Sequence, residues 1–211
     1  MATKTVLFDW DGTLVDSLSR WLDTCREVFK DFGIKIDDEE FFQKFFSGGN
    51  TIEILAGNDY QKLSRKLFER VDQWMEKIEI RSGVFQLLQK LNHMGVRVAL
   101  VTNSYGKTVK RAVVYNKIDN LVSKVIGFED VRKHKPDPEM IYLAMKDLQS
   151  NPDETMIVGD SDNDILSGKR AGIRTCFFYP KENEIFYRLT VDKISQMDLV
   201  IRDFEELYTH L

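Results

Sequence analysis

Short runs of apolar and β-branched residues recur along the chain at Thr5–Asp9, Arg97–Thr102, Lys124–Ile126, Thr155–Gly159 and Thr175–Phe178, each followed by a turn signal. A strand with one wet face alternates apolar and polar residues. A strand covered on both faces is apolar nearly throughout, so these runs predict the strands of a buried parallel sheet. Between most of them the apolar positions step by three or four, as on one face of a helix. Gly83–Met94 places Val84, Leu87, Leu88 and Leu91 on one stripe, and Pro138–Leu148 places Ile141, Ala144 and Leu148 on another. Strands alternating with helices predict an α/β fold with a mostly parallel sheet and right-handed crossovers.

One stretch breaks the alternation. From Val15 to about Arg81 no strand pattern stands out. Leu18, Trp21, Leu22, Cys25, Val28, Phe29 and Phe32 form a helical stripe that Gly33 ends. Leu63, Leu67, Val71, Trp74, Met75 and Ile78 form a second, with the turn Ser47-Gly48-Gly49-Asn50-Thr51 between the two. The chain therefore divides into a core of residues 1–14 and 82–211 and an all-helical insertion of residues 15–81.

Composition narrows the function classes. A net charge of -4 over 211 residues argues against a broad nucleic-acid surface, which needs an excess of Lys and Arg. No apolar run approaches the roughly 20 residues of a membrane helix. The N-terminus shows no secretory h-region. Cys25 and Cys176 sit far apart in apolar patterns and read as core residues of a reducing compartment. A cytoplasmic protein without membrane or nucleic-acid partners is the expectation.

Four segments carry candidate chemistry. In Val6-Leu7-Phe8-Asp9-Trp10-Asp11-Gly12-Thr13 a buried strand ends in two carboxylates spaced to point the same way. They lie at the strand's C-terminal end, where ligands bind in open α/β sheets. In Val98-Ala99-Leu100-Val101-Thr102-Asn103-Ser104 a second strand ends in small polar residues able either to bind phosphate oxygens or to cap a helix. Arg132-Lys133-His134-Lys135-Pro136 is a basic cluster that fits an anion or an exposed loop equally. Met156-Ile157-Val158-Gly159-Asp160-Ser161-Asp162-Asn163-Asp164 has the opening spacing of an EF-hand loop. It fails that pattern, because Ile165 and Ala171 stand where the loop needs Gly and Glu. Carboxylates after a buried strand still suit a hard cation.

The ordered set Asp9-x-Asp11-Gly12-Thr13, Thr102-Asn103, Lys135-Pro136 and Gly159-Asp160-x-x-x-Asp164 resembles the haloacid dehalogenase superfamily, and most resembles its phosphoglycolate phosphatase and β-phosphoglucomutase branch. The resemblance implies a Rossmann-like three-layer core with residues 15–81 as a helical cap. It implies a phosphatase for a small phosphate ester. Asp9 would be the nucleophile that forms an aspartyl-phosphate, and Asp11 the acid that protonates the leaving oxygen and then activates water. Thr102 and the Asn103 backbone would hold phosphate oxygens. Lys135, chosen over Lys133 because it precedes Pro136, would balance charge. Mg²⁺ would take Asp9, the Asp11 carbonyl and Asp160, with Asp164 orienting a bound water. An acid at Asp11 is absent from the dehalogenase branch and replaced by Thr in ion pumps, so it points to phosphate-ester chemistry.

The chain departs from that branch at Ile80-Arg81-Ser82-Gly83-Val84, which lacks the usual Tyr-Pro-Gly. Because Gly83-Val84 keeps the turn and the helix start, no functional consequence is expected. Two alternatives stand beside the phosphatase: a phosphotransferase of the β-phosphoglucomutase type, and a non-catalytic binding protein that retains the fold. The association state expected is monomer or homodimer.

Overall fold

The computed structural model describes residues 2–35, 51–186, 190, 194, 195 and 197–211. The turn residues Ser47 to Asn50 lie outside these.

A single sheet organises the molecule. Its strands are β1 (Thr5–Phe8), β2 (Arg97–Val101), β3 (Lys124–Ile126), β4 (Thr155–Gly159), β5 (Arg174–Phe178) and β6 (Leu199–Ile201), in the order β3-β2-β1-β4-β5-β6 with every pair parallel. The five strands expected from the sequence are present, with ends shifted by at most one residue. β6 adds an edge that the sequence pattern did not reveal.

Parallel neighbours need crossovers, and helices supply them. They are α4 (Val84–His93), α5 (Gly106–Tyr115), α6 (Glu139–Asp147) and α7 (Asp162–Ala171), with the short α8 (Phe204–Leu207) after β6. Alternate side chains of each strand go to opposite faces. Val6, Phe8, Val98, Leu100, Met156 and Val158 join one apolar cluster, with Leu87, Leu88 and Leu91 of α4 and Val109 and Ala112 of α5. Leu7, Ala99, Val101 and Ile157 join another, with Met140, Ile141 and Ala144 of α6. Both faces are covered, which explains the unbroken apolar runs.

Between β1 and α4 the described residues include three α-helices: α1 (Leu18–Asp31), α2 (Thr51–Ala56) and α3 (Tyr60–Met75). The α1 stripe (Cys25, Val28, Phe29) and the α3 stripe (Leu63, Leu67, Val71) belong to one buried cluster. The two passages into and out of this segment run side by side. Val15 bridges Ile80 antiparallel, and the Arg81 N–H donates to the Leu14 carbonyl at 2.8 Å. Asp72 of α3 accepts from Thr108 of α5 and Glu76, just after α3, accepts from Arg111 of α5 at 2.8 Å, while the Phe68 and Tyr105 rings meet tilted at 4.6 Å.

Candidate active site

The carboxyl ends of β1, β2 and β4 meet at the centre of the sheet, and each strand is followed directly by a polar residue. Asp9 follows β1, Thr102 follows β2 and Asp160 follows β4. Strand order reverses at this place, leaving a crevice between neighbouring loops.

Lys135 enters from the loop before α6 and is buried. Its ammonium donates to Asp9 Oδ1 at 2.7 Å, Asp164 Oδ1 at 2.6 Å and the Val101 carbonyl at 2.8 Å. Three acceptors use all three of its protons. Burial alone would lower its pKa, but Asp164 and Asp9 outweigh this and raise it, so it stays charged. Lys133, the rival in the same cluster, is 73% exposed at its side chain and lies 3.9 Å from Asp137. His134 stacks on Phe128 at 3.8 Å and hydrogen-bonds the Phe128 carbonyl at 3.0 Å, away from the carboxylates.

Asp9 is held well above the ordinary aspartate value by burial. Lys135 opposes the rise, while Asp164, Asp160 and Asp11 add to it. Its Oδ2 takes no hydrogen bond from a described residue. Asp11 is bound quite differently. Its Oδ1 accepts from Ser17 Oγ at 2.7 Å and Trp21 Nε1 at 2.7 Å, and its Oδ2 from Ser104 Oγ at 2.6 Å. Burial raises its pKa, and these three donors only partly offset that.

Asp164 has partners on both oxygens. Oδ1 takes Lys135, and Oδ2 takes the N–H (3.1 Å) and hydroxyl (2.5 Å) of Ser161, which caps α7. Gly159 makes this packing possible, since a Cβ there would sit 2.2 Å from Asp164 Cγ. Asp160 accepts from Thr13 Oγ1 at 3.2 Å and Asn183 Nδ2 at 3.1 Å. Thr102 is buried, its Oγ1 accepting from the Ser104 N–H at 3.0 Å. The Asn103 side chain clasps the Lys135 backbone in both directions, at 3.0 and 3.1 Å. So Asn103 brings the lysine loop to the end of β2, a role additional to the phosphate contact expected of its backbone.

The donor set fits a divalent cation. One oxygen each from Asp9, Asp160 and Asp164 lies within 4.8 Å of the others, all three residues are buried, and the Lys135 ammonium donates to Asp9 and Asp164. Such a buried negative surplus of hard oxygens suits Mg²⁺ or a similar ion. Gly12, at φ +71°, closes the cradle: a Cβ there would meet Asp160 Oδ2 at 2.0 Å.

The structure thus gathers Asp9, Asp11, Thr102, Asn103, Lys135, Asp160 and Asp164 at one end of the sheet. It also adds residues given no role from the sequence. Ser104, Ser17 and Trp21 hold Asp11, and Thr13, Asn183 and Arg81 surround Asp160 and Gly12. Trp21 sits on the α1 stripe and read as core; a buried indole N–H always needs an acceptor, and this was its only signal.

The model of the haloacid dehalogenase-like hydrolases matches residues 6–178, from β1 through β5. The chain belongs to this family. Among relatives of this haloacid dehalogenase-like hydrolase is the pyrophosphatase PpaX of Oceanobacillus iheyensis, 26% identical over 213 residues that cover 99% of this chain and 97% of that one. The pyrophosphatase PpaX of Bacillus cereus (strain Q1) is 30% identical over 181 residues, covering 83% of this chain and 82% of the relative. Two solved structures share the fold. A haloacid dehalogenase-like hydrolase from Bacteroides fragilis superposes with TM-score 0.84 at 23% identity, covering 97% of this chain and 99% of that one. CbbY from Rhodobacter sphaeroides, in complex with phosphate, gives 0.79 at 22%, covering 97% and 96%.

Proposed function

We propose that this hydrolase removes a phosphoryl group from a small phosphorylated metabolite, through an aspartyl-phosphate on Asp9, with Mg²⁺ as cofactor and residues 15–81 as a cap over the site. The observation that carries the reading is the unequal treatment of two neighbouring carboxylates. Asp9 is hydrogen-bonded to the buried Lys135 ammonium, whereas Asp11 is held by the neutral donors of Ser17, Trp21 and Ser104; burial raises the pKa of both. Two carboxyl groups whose surroundings drive them to different tasks mark a nucleophile and an acid–base partner.

The steps follow from these roles. An Asp9 carboxylate oxygen attacks phosphorus, and the bond from phosphorus to the leaving oxygen breaks. Asp11 gives its proton to that oxygen, so the product leaves as an alcohol or acid instead of an alkoxide. Asp11, now a carboxylate, takes a proton from water. The water oxygen attacks phosphorus, the phosphorus–Asp9 bond breaks, and phosphate leaves. Lys135 stays beside Asp9 throughout and offsets the repulsion between carboxylate and phosphate. Thr102 Oγ1 and the Asn103 N–H would hold phosphate oxygens. A cation on Asp9, the Asp11 carbonyl and Asp160 would supply the further positive charge that brings two anions together. Asp164 fixes Lys135 in this scheme, and its engaged oxygens set its part in holding the cation at second hand.

The relatives named pyrophosphatase extend the substrate range to test from esters to pyrophosphate. The test is phosphate release from a panel of pyrophosphate, phosphoglycolate and sugar phosphates with Mg²⁺, alongside Asp9→Asn. The expected result is turnover of at least one panel member and its loss, by about 10³-fold or more, in the variant. Full activity of Asp9→Asn would overturn the mechanism. Isomerised sugar phosphate in place of released phosphate would transfer the chain to the mutase class.

A further inference from the structure

The segment where the chain departs from its nearest family branch, Ile80 to Val84, leads directly to the cation site. Arg81 replaces part of the usual Tyr-Pro-Gly, and its side chain turns inward, 11% exposed. Its Nη2 donates to Asn183 Oδ1 at 2.9 Å and to the Gly12 carbonyl at 3.2 Å. Asn183 lies in the 3-10 turn Lys181–Ile185 after β5 and is fully buried. Its amide donates to Asp160 Oδ2 at 3.1 Å and to the same Gly12 carbonyl at 3.0 Å. A guanidinium from the segment before α4 and an amide from the turn after β5 thus converge on the Gly12 carbonyl, and the amide also reaches the Asp160 carboxylate.

The order of the groups matters. An arginine bonded directly to Asp160 would neutralise it and compete with a metal ion. A neutral amide between them donates one hydrogen bond and aims the carboxylate without itself neutralising it. The guanidinium on Oδ1 polarises that amide and strengthens its N–H as a donor, as in other chained hydrogen bonds. Arg81 is held in turn by Asp16 at 3.4 Å and lies over the Phe178 ring at 5.8 Å, so it is fixed from several sides. Its backbone N–H is bonded to Leu14, at the crossing of the two passages to the helical segment.

We propose that Arg81 and Asn183 are positioning residues for the cation: Asn183 sets the Asp160 carboxylate and the Gly12 backbone, and Arg81 fixes Asn183. This rests on the cation reading above. It gives the departure at Arg81 a purpose that the sequence alone did not suggest.

The test measures Mn²⁺ binding to the full chain by the loss of the free-ion EPR signal, with no substrate present. Wild type, Asn183→Ala, Arg81→Gln and Asp160→Asn are compared. The Mg²⁺ concentration for half-maximal phosphate release is measured beside it. Groups that orient metal ligands are worth about 10–100-fold in metal affinity. Asn183→Ala should weaken Mn²⁺ binding and raise the half-maximal Mg²⁺ by about that factor, while kcat at saturating Mg²⁺ falls by less. Arg81→Gln should move both constants the same way by a smaller factor. A merely structural role would lower thermal stability and leave Mn²⁺ affinity at the wild-type value; that result overturns the proposal. If Asn183→Ala does not fold, Arg81→Gln decides, and wild-type affinity there overturns it. Wild type that binds Mn²⁺ no better than Asp160→Asn overturns this proposal and the cation reading together. Weakened Mn²⁺ binding in a protein that turns over none of the phosphate panel upholds the positioning role and rejects only the proposed reaction.

Discussion

Asp11 shows how one residue's surroundings can be read as a stability statement. Burial raises its pKa above the ordinary value. Between about pH 4, where a free aspartate titrates, and that higher value the folded state holds a proton that the unfolded state has released. Stability then falls as pH rises through the window, because the folded state binds more protons. Asp11→Asn has the same shape, accepts from Trp21 and Ser17 and has no proton to lose. It should be more stable than wild type to urea at pH 7, with the difference shrinking towards pH 4. An equal difference at both pH values would contradict the assignment. All seven residues expected at the site lie at one end of the sheet, because each follows a strand, precedes a helix or, as Asp164 does, stands in a helix's first turn. What the sequence hid were the partners. Ser17, Trp21 and Asn183 are ordinary in their local sequence and acquire meaning only when distant segments meet, as Asn183 and Gly12 do across 171 positions.

At the scale of elements, strands buried on both faces were the most legible, since an unbroken apolar run has few other uses. α1 and α3 were legible from their wide stripes. α5 and α7 were not read as stripes, and in α7 the site residue Asp164 stands in the first turn. β6 is three residues on a sheet edge with partly exposed positions, an apolar run too short to stand out by itself. The join between β3 and α5 is a place where one atom decides. A Cβ on Gly127 would meet Gly106 N at 2.1 Å, Gly106 Cα at 2.3 Å and the Ser104 carbonyl at 2.9 Å, all backbone. No rotamer relieves such a clash, so the start of α5 must move. Ser104, which bonds Asp11, would move with it. Gly127→Ala should therefore cost about 1–3 kcal/mol in urea unfolding, as overpacking does, and lower kcat as well. Loss of stability with unchanged kcat would show that Ser104 does not follow the helix.

For the whole molecule, the net charge of -4 says little, because the charge that matters is local. Asp9, Asp160 and Asp164 come from two chain segments about 150 residues apart and are buried together, with the Lys135 ammonium bonded to Asp9 and Asp164. Folding alone leaves that surplus charge out of water, which destabilises the native state. A cation that binds only the folded protein should relieve it by RT ln(1 + [L]/Kd), about 2.7 kcal/mol at a hundredfold excess over Kd. For a chain of this size each kcal/mol is worth about 2–4 °C, so Mg²⁺ should raise Tm by roughly 5–10 °C over EDTA. Monovalent salt at matched ionic strength should give far less, since screening acts weakly on buried charges. Asp160→Asn removes one charge and one ligand. It should melt higher than wild type in EDTA if the repulsion is as argued, and gain little from Mg²⁺. A Mg²⁺ shift of equal size in that variant would place the stabilising ion elsewhere on the protein. A melting point in EDTA no higher than wild type would mean that the groups around Asp160, Thr13 and Asn183 among them, already balance its charge without a metal.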